Sequence, residues 1–197
     1  MLLSRHHRRV STDARAPARP SQWGLAALGA VGLAVAAALA AYAEAHPGDG
    51  AALTTLGFSS LLEMKSWLTT AAAALVVVQV LSALAMWGHL PGVTRTPGWV
   101  PALHRWSGTV AFLLTLPVAF HCVWSLGFED ESTRVLVHSV AGCVLYGVFA
   151  AKMLALRLRG LPSMTVPLLG GLLAGVIVVL WFSSALWFFS QSGEVSY

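Results

Sequence analysis

The sequence predicts an all-α fold: a polytopic membrane helix bundle of about five transmembrane helices, N-terminus in and C-terminus out. Three observations carry that expectation. Hydrophobic residues make up 57% of the chain and charged residues 10%, whereas a soluble domain carries about 25% charged residues. The apolar residues gather into five stretches, each near the roughly 20 residues that a helix needs to cross a bilayer core. The basic residues collect in alternate connecting segments, which is a topology signal.

Residues 1–21 (MLLSRHHRRVSTDARAPARPS) are basic, contain proline and lack apolar periodicity, so a disordered cytoplasmic tail is expected there. The remainder, 22–197, reads as one transmembrane helical domain, because 197 residues leave no room for a separate soluble one. Its helices are expected at about 23–43, 66–88, 105–128, 135–156 and 163–190. The first is Ala-rich after a basic start. Its Ala-x-Ala pattern around Ala41 to Ala45 also suits a cleaved signal peptide, but the apolar run exceeds the usual 7–15 residues of a signal core, which favours a retained helix. The third contains His121, and the fourth contains His138 with Lys152 near its far end. The fifth is long enough to tilt or protrude. Trp23, Trp67, Trp87, Trp106, Trp124 and Trp187 fall at helix ends and suit an interfacial aromatic belt. Gly170, Gly171 and Gly175 permit close helix approach.

With the tail inside, the inner segments hold Arg5, Arg8, Arg9, Arg15, Arg19, Arg95, Arg105, Lys152, Arg157 and Arg159, and the outer segments hold only Lys65 and Arg134. Positive residues favour the cytoplasmic side, which sets the orientation. Glu44, Asp49, Glu63, Glu129, Asp130, Glu131 and Glu194 all fall outside.

Several function classes drop out. The formal net charge of +4 is spread through short connecting segments rather than a patch, so nucleic acid is not an expected partner; the lipid bilayer is. Cys122 and Cys143 lie inside apolar runs without a CxxC pair, which leaves a thiol-redox or zinc–cysteine site unsupported. No GxGxxG, GxSxG, HExxH or phosphate loop is present. Any flavin or nicotinamide would therefore belong to a partner, and the chain is at most an electron-transfer component of an oxidoreductase.

The histidines are what remains. An ionisable group within a membrane span is expensive and is by default a functional candidate. His121 lies about six residues before the turn at Gly127, and His138 lies four residues past Arg134. At 1.5 Å per residue this puts both at matched depth, on antiparallel helices joined by the short turn GFEDESTR and expected to be neighbours. Two imidazoles so placed suit the two axial positions of a b-type haem. Gly142, one turn after His138, would leave space for the flat macrocycle, and Pro117, four residues before His121, would open the backbone there. His89 and His104, at the inner surface, form a weaker pair better explained by headgroup contact. The competing explanation for His121 and His138 is a pair of hydrogen-bonded core histidines.

The stretch HRWSGTVAFLLTLPVAFHCVWSLGF, with STRVLVHSVAGCVLYGVFAAKMLALR, LPSMTVPLLGG and LWFSSALWFF, resembles a bacterial multi-pass membrane family catalogued as a domain of unknown function (number 6529). The resemblance runs from about Ser66 to Phe189, implies a multi-pass protein of the bacterial cell (cytoplasmic) membrane, and brings His104, His121 and His138 within the family's motif segments. His89 stands where that family leads one to expect Lys or Arg. A looser likeness is to the membrane haem domains of cytochrome b561 and ferric reductases, in which the two histidines of one helix lie closer together than His104 and His121.

The expected function is thus a b-type haem electron-transfer subunit, with haem b held by His121 and His138 between the third and fourth helices, His104 as a further cofactor-site candidate, and a quinone or redox protein as partner. The alternative is a cofactor-free structural or anchoring subunit of a membrane complex.

Overall fold

The computed structural model describes residues 22–93 and 95–192, and all regular structure among them is helical. The tail expected at 1–21 lies outside the described residues, as do 193–197. The five expected spans are α1 (Gln22–Ala45), α2 (Leu61–Met86), α3 (Val100–Phe120), α4 (Thr133–Ala155) and α5 (Thr165–Leu180). α3 runs on as a π-helical stretch, His121–Leu126, and α5 runs through a second, Trp181–Leu186, into a short α6 (Trp187–Ser192). Each span is long and apolar enough to cross a membrane. Leu33, Val77, Leu113 and Leu168 lie exposed on the bundle, which suits lipid and would be a liability in water.

Two helices, α2 and α3, begin five residues earlier than expected. α2 starts at Leu61 rather than 66 because Ser60 caps it: Ser60 is extended, and its hydroxyl accepts the Glu63 N–H at 3.1 Å. The Glu63 carboxylate accepts the Ser59 N–H at 3.0 Å and also the Ser59 hydroxyl. This is a capping box shifted by one residue. α3 starts at Val100 rather than 105, with Pro101 in the first turn, where its missing N–H costs nothing. The earlier start of α2 matters because it carries Lys65 out of a loop and into the bundle.

The helices do not pack in chain order. α2 lies along α3 and α5, and α4 lies along α1 and α5. α3 and α4, expected to be direct neighbours, have no comparable backbone approach. The cause is α1. Gly32 and Gly147 cross backbone to backbone, so closely that a Cβ on Gly147 would overlap the Gly32 carbonyl, and α1 takes the place beside α4. Side chains bridge what is left of the gap. Phe112 stacks on Phe149 with centroids 3.9 Å apart, and the Tyr146 hydroxyl donates to the Thr115 carbonyl at 3.0 Å.

At the end of the bundle away from the start of α1, the α1–α2 segment folds over the first π-helical stretch. The Gly50 N–H donates to the Ser125 carbonyl at 2.8 Å, and the Phe128 N–H donates to the Ala43 carbonyl at 3.2 Å. Two apolar clusters hold the rest: Val76, Leu145, Ile177 and Leu180 between α2, α4 and α5, and Leu28, Ala151 and Ala155 between α1 and α4.

Candidate functional site

The gap between α3 and α4 is not filled by side chains. It opens into a cavity of about 460 Å³ whose walls are overwhelmingly apolar, bounded on one side by Thr115, Ala119 and Cys122 and on the other by Val135, His138 and Gly142. A Cβ on Gly142 would meet nothing within 4 Å, so the helix presents bare backbone to open space one turn from His138. The floor is Tyr146. Above, Ser139 ties the α3–α4 turn to α4, its hydroxyl donating to the Glu129 carbonyl at 2.8 Å.

His138 enters the cavity with its ring orientation fixed. The Ser183 hydroxyl donates to the Val179 carbonyl at 2.8 Å, so its proton is spent within its own helix. The 2.9 Å contact with His138 Nδ1 is then one in which Nδ1–H donates and Ser183 accepts. For a neutral imidazole this leaves the lone pair on Nε2, which makes no hydrogen bond among the described residues. A ring nitrogen whose partner N–H is anchored in this way is the arrangement that metal-binding histidines use.

His121 is placed differently. It is 1% exposed and is not among the residues lining the cavity. Its Nδ1–H donates to the Pro117 carbonyl at 2.7 Å, and its Nε2 accepts the Thr54 N–H of the α1–α2 segment at 3.4 Å. The π-helical stretch begins at His121, one turn after the proline, so Pro117 contributes a carbonyl partner as well as the irregular backbone expected of it. The two histidines therefore flank the same end of the bundle, with His138 in the cavity and His121 turned to the segment over it. His104 lies at the other end of α3, where Nδ1 meets the Ser82 hydroxyl at 2.8 Å; it belongs to a separate cluster. Among the described residues, no group of three or more His, Cys, Asp or Glu side chains is gathered as a metal-ligand set.

A family model described as a family of unknown function (DUF6529) matches residues 25–196. The chain belongs to that family. The match reaches back into α1, which the resemblance read from Ser66 to Phe189 did not include, and the Gly32–Gly147 crossing makes α1 an integral part of the bundle. No curated protein and no solved structure matches the chain.

Two residues of the site escaped the sequence reading. Ser183 gave no signal, since its partnership with His138 spans 45 residues. Lys65 did leave one: the Ser60-x-x-Glu63 capping box places α2's start before it, so its side chain had to face either the bundle or the lipid. It lines the cavity and is 5% exposed.

Proposed function

We propose that this chain is a membrane electron-transfer subunit that holds haem b in the gap between α3 and α4. The observation that carries the reading is the cavity itself: an apolar slot of about 460 Å³ between two helices, with His138 on its wall and open space beside Gly142. The donor chemistry fits at His138, whose Nδ1–H is spent on Ser183 and whose Nε2 is left to ligate. At His121 the fit is conditional. Nδ1 is committed to Pro117, leaving Nε2 as the only ligating atom, and its contact with the Thr54 N–H is long for a hydrogen bond. His121 Nε2 would be available to hold the haem only if that contact were released and the ring turned toward the cavity, which it does not line here.

Haem would supply the one-electron chemistry; the protein supplies imidazoles, orientation and a dry site. Ser183 holds His138 in one tautomer, and Pro117 does the same for His121. The α1–α2 segment closes over His121 and excludes water from it. The donor and acceptor are a quinol or redox proteins. The Lys and Arg asymmetry supports an N-terminus in the cytoplasm, which puts the cavity in the outer half of the bilayer, and the family resemblance is what points to a bacterial cytoplasmic membrane. Likeness to cytochrome b561 and ferric-reductase haem domains extends only to the use of helix-borne histidines.

The test is a reduced-minus-oxidised visible spectrum of the purified protein with pyridine-haem quantitation. A sharp b-type spectrum is expected, lost in His138→Ala. In His121→Ala a low-spin spectrum should become high-spin with haem retained. A colourless wild-type protein, expressed with ample haem, overturns the reading and leaves the cofactor-free anchoring subunit.

A further inference from the structure

Lys65 is a cation buried in a membrane bundle without a partner. It is 5% exposed, and among the described residues it makes no hydrogen bond and no ion pair. Lys65 lines two adjoining cavities: the apolar one between α3 and α4, and a smaller one of about 150 Å³ between α2, α4 and the second π-helical stretch. Val135 and His138 are shared walls of both. The smaller cavity also has mostly apolar walls, but polar side chains gather around it. Arg134 stands in it, its guanidinium donating to the Ser183 carbonyl at 2.6 Å and lying 4.2 Å from the Trp187 ring centroid. Ser184 also lines it. Two cations stand at the edge of an apolar chamber, and Glu129, the carboxylate on that chamber's lining, makes no ion pair with either among the described residues; together they describe an amphiphile in negative, an oxyanion at one end and an apolar body behind it. An uncompensated buried charge is costly, so a bundle that keeps one is complete only with its counter-ion.

We propose that Lys65, with Arg134 beside it, holds the carboxylate or phosphate of an amphiphilic ligand whose apolar body occupies the cavity between α3 and α4. Where that body is haem, an identity that rests on the function proposed above, the oxyanion is a propionate. Otherwise it is the acidic group of a lipid. The site is the same in both cases, because it is defined by charge and not by iron.

The experiment uses the full chain, produced without haem and held in nanodiscs of uncharged lipid. Two matched probe pairs are titrated: haem against its dimethyl ester, and a fluorescent long-chain fatty acid against its methyl ester. Wild-type protein is expected to bind the acid of at least one pair about tenfold or more tightly than its ester, the scale of a charge-assisted hydrogen bond. Lys65→Met should bring the acid down to the ester's affinity while leaving the ester unchanged, which shows that the bundle is intact. Lys65→Arg should retain the preference. A Lys65-dependent preference for the fatty acid, with no binding of haem or its ester, supports the oxyanion site and overturns the haem reading. Haem and its diester binding equally, with no effect of Lys65→Met on either pair, supports the haem reading and overturns the oxyanion site. No binding by any probe overturns both.

Discussion

His104 and His138 are held by the same device, and what surrounds them differs. In each case a serine on a neighbouring helix spends its proton on the carbonyl four residues back and accepts Nδ1–H from the imidazole: Ser82 for His104 and Ser183 for His138. Around His104 the neighbouring polar side chains are paired with one another, although His104 Nε2, like that of His138, has no partner among the described residues. The Gln79 amide donates to the His104 carbonyl and, at 2.6 Å, to Ser107, whose own hydroxyl donates to Leu103. Gly108 lets Gln79 approach, since a Cβ there would crowd the amide. Around His138 the polar groups are unspent. The lysine has no counter-ion and Nε2 has no donor among the described residues; elsewhere in α2 and the first π-helical stretch, the hydroxyls of Ser66 and Ser125 are buried without partners. One cluster uses its hydrogen bonds to join α2 to α3, and the other withholds them. The first is the chemistry of a fold, and the second leaves groups free for the ligand proposed above.

The comparison is broken most directly at the segment that covers the open end. Gly48 lies so close to the Ser125 carbonyl that a Cβ would overlap it, and neither backbone can yield without undoing the Gly50–Ser125 hydrogen bond. Gly48→Ala is expected to cost about 3 kcal/mol. It should free Thr54 from His121, read as a lower thermal midpoint in detergent together with new solvent access to the covering segment by cysteine labelling. At the closed end, Gln79→Leu removes two hydrogen bonds between α2 and α3 and should cost about 1–3 kcal/mol. Haem content and redox spectrum are expected to stay at the wild-type level, because His104 lies outside the cavity; a lost spectrum would merge the two clusters into one site.

Much of this contrast was hidden from the sequence. The spans were legible because hydropathy over 20 residues is a sum to which every residue contributes, and the depth of His121 and His138 followed from counting. Which way a ring points is not a sum. The expectation that α3 and α4 are neighbours came from their short turn; they meet through side chains such as Phe112 and Phe149, while a contact between Gly32 and Gly147, more than a hundred residues apart in sequence, seats α1 closer to α4. Ser82 and Ser183 look like ordinary serines in apolar runs, and only the packed bundle brings each to a histidine. Lys65 falls in an outer segment when the helix is read from the apolar run that starts at Ser66, although the capping residues Ser60 and Glu63 say where the helix begins.

If the open end keeps unpaired groups for a ligand, it should be less stable empty than it could be. Lys65→Met removes a buried cation with no partner while leaving a side chain of similar length, and it should stabilise the ligand-free protein by about 1 kcal/mol. A thermal midpoint measured without ligand should rise, and the rise should shrink when an anionic amphiphile is added, because only the wild type gains a counter-ion. A fall without ligand would mean that the ammonium already has a stabilising partner.

The smallest effect is the sharpest discriminator. Ser66 and Ser125 are fully buried, and their hydroxyls make no hydrogen bond. Removing a buried polar atom that has no partner loses no hydrogen bond and relieves its desolvation, so Ser66→Ala and Ser125→Ala are each expected to lie within about 0.5 kcal/mol of wild type. The matched change at the closed end, Ser82→Ala, strands His104 Nδ1–H and should cost about 1–3 kcal/mol. The three variants alter the same atom type in the same membrane environment, so the difference between them isolates whether a partner exists. Equal losses at Ser66, Ser125 and Ser82 would mean that ordered water fills the open end and satisfies its hydroxyls. In that event the two ends differ in what they hold, and no longer in whether their polar groups are spent.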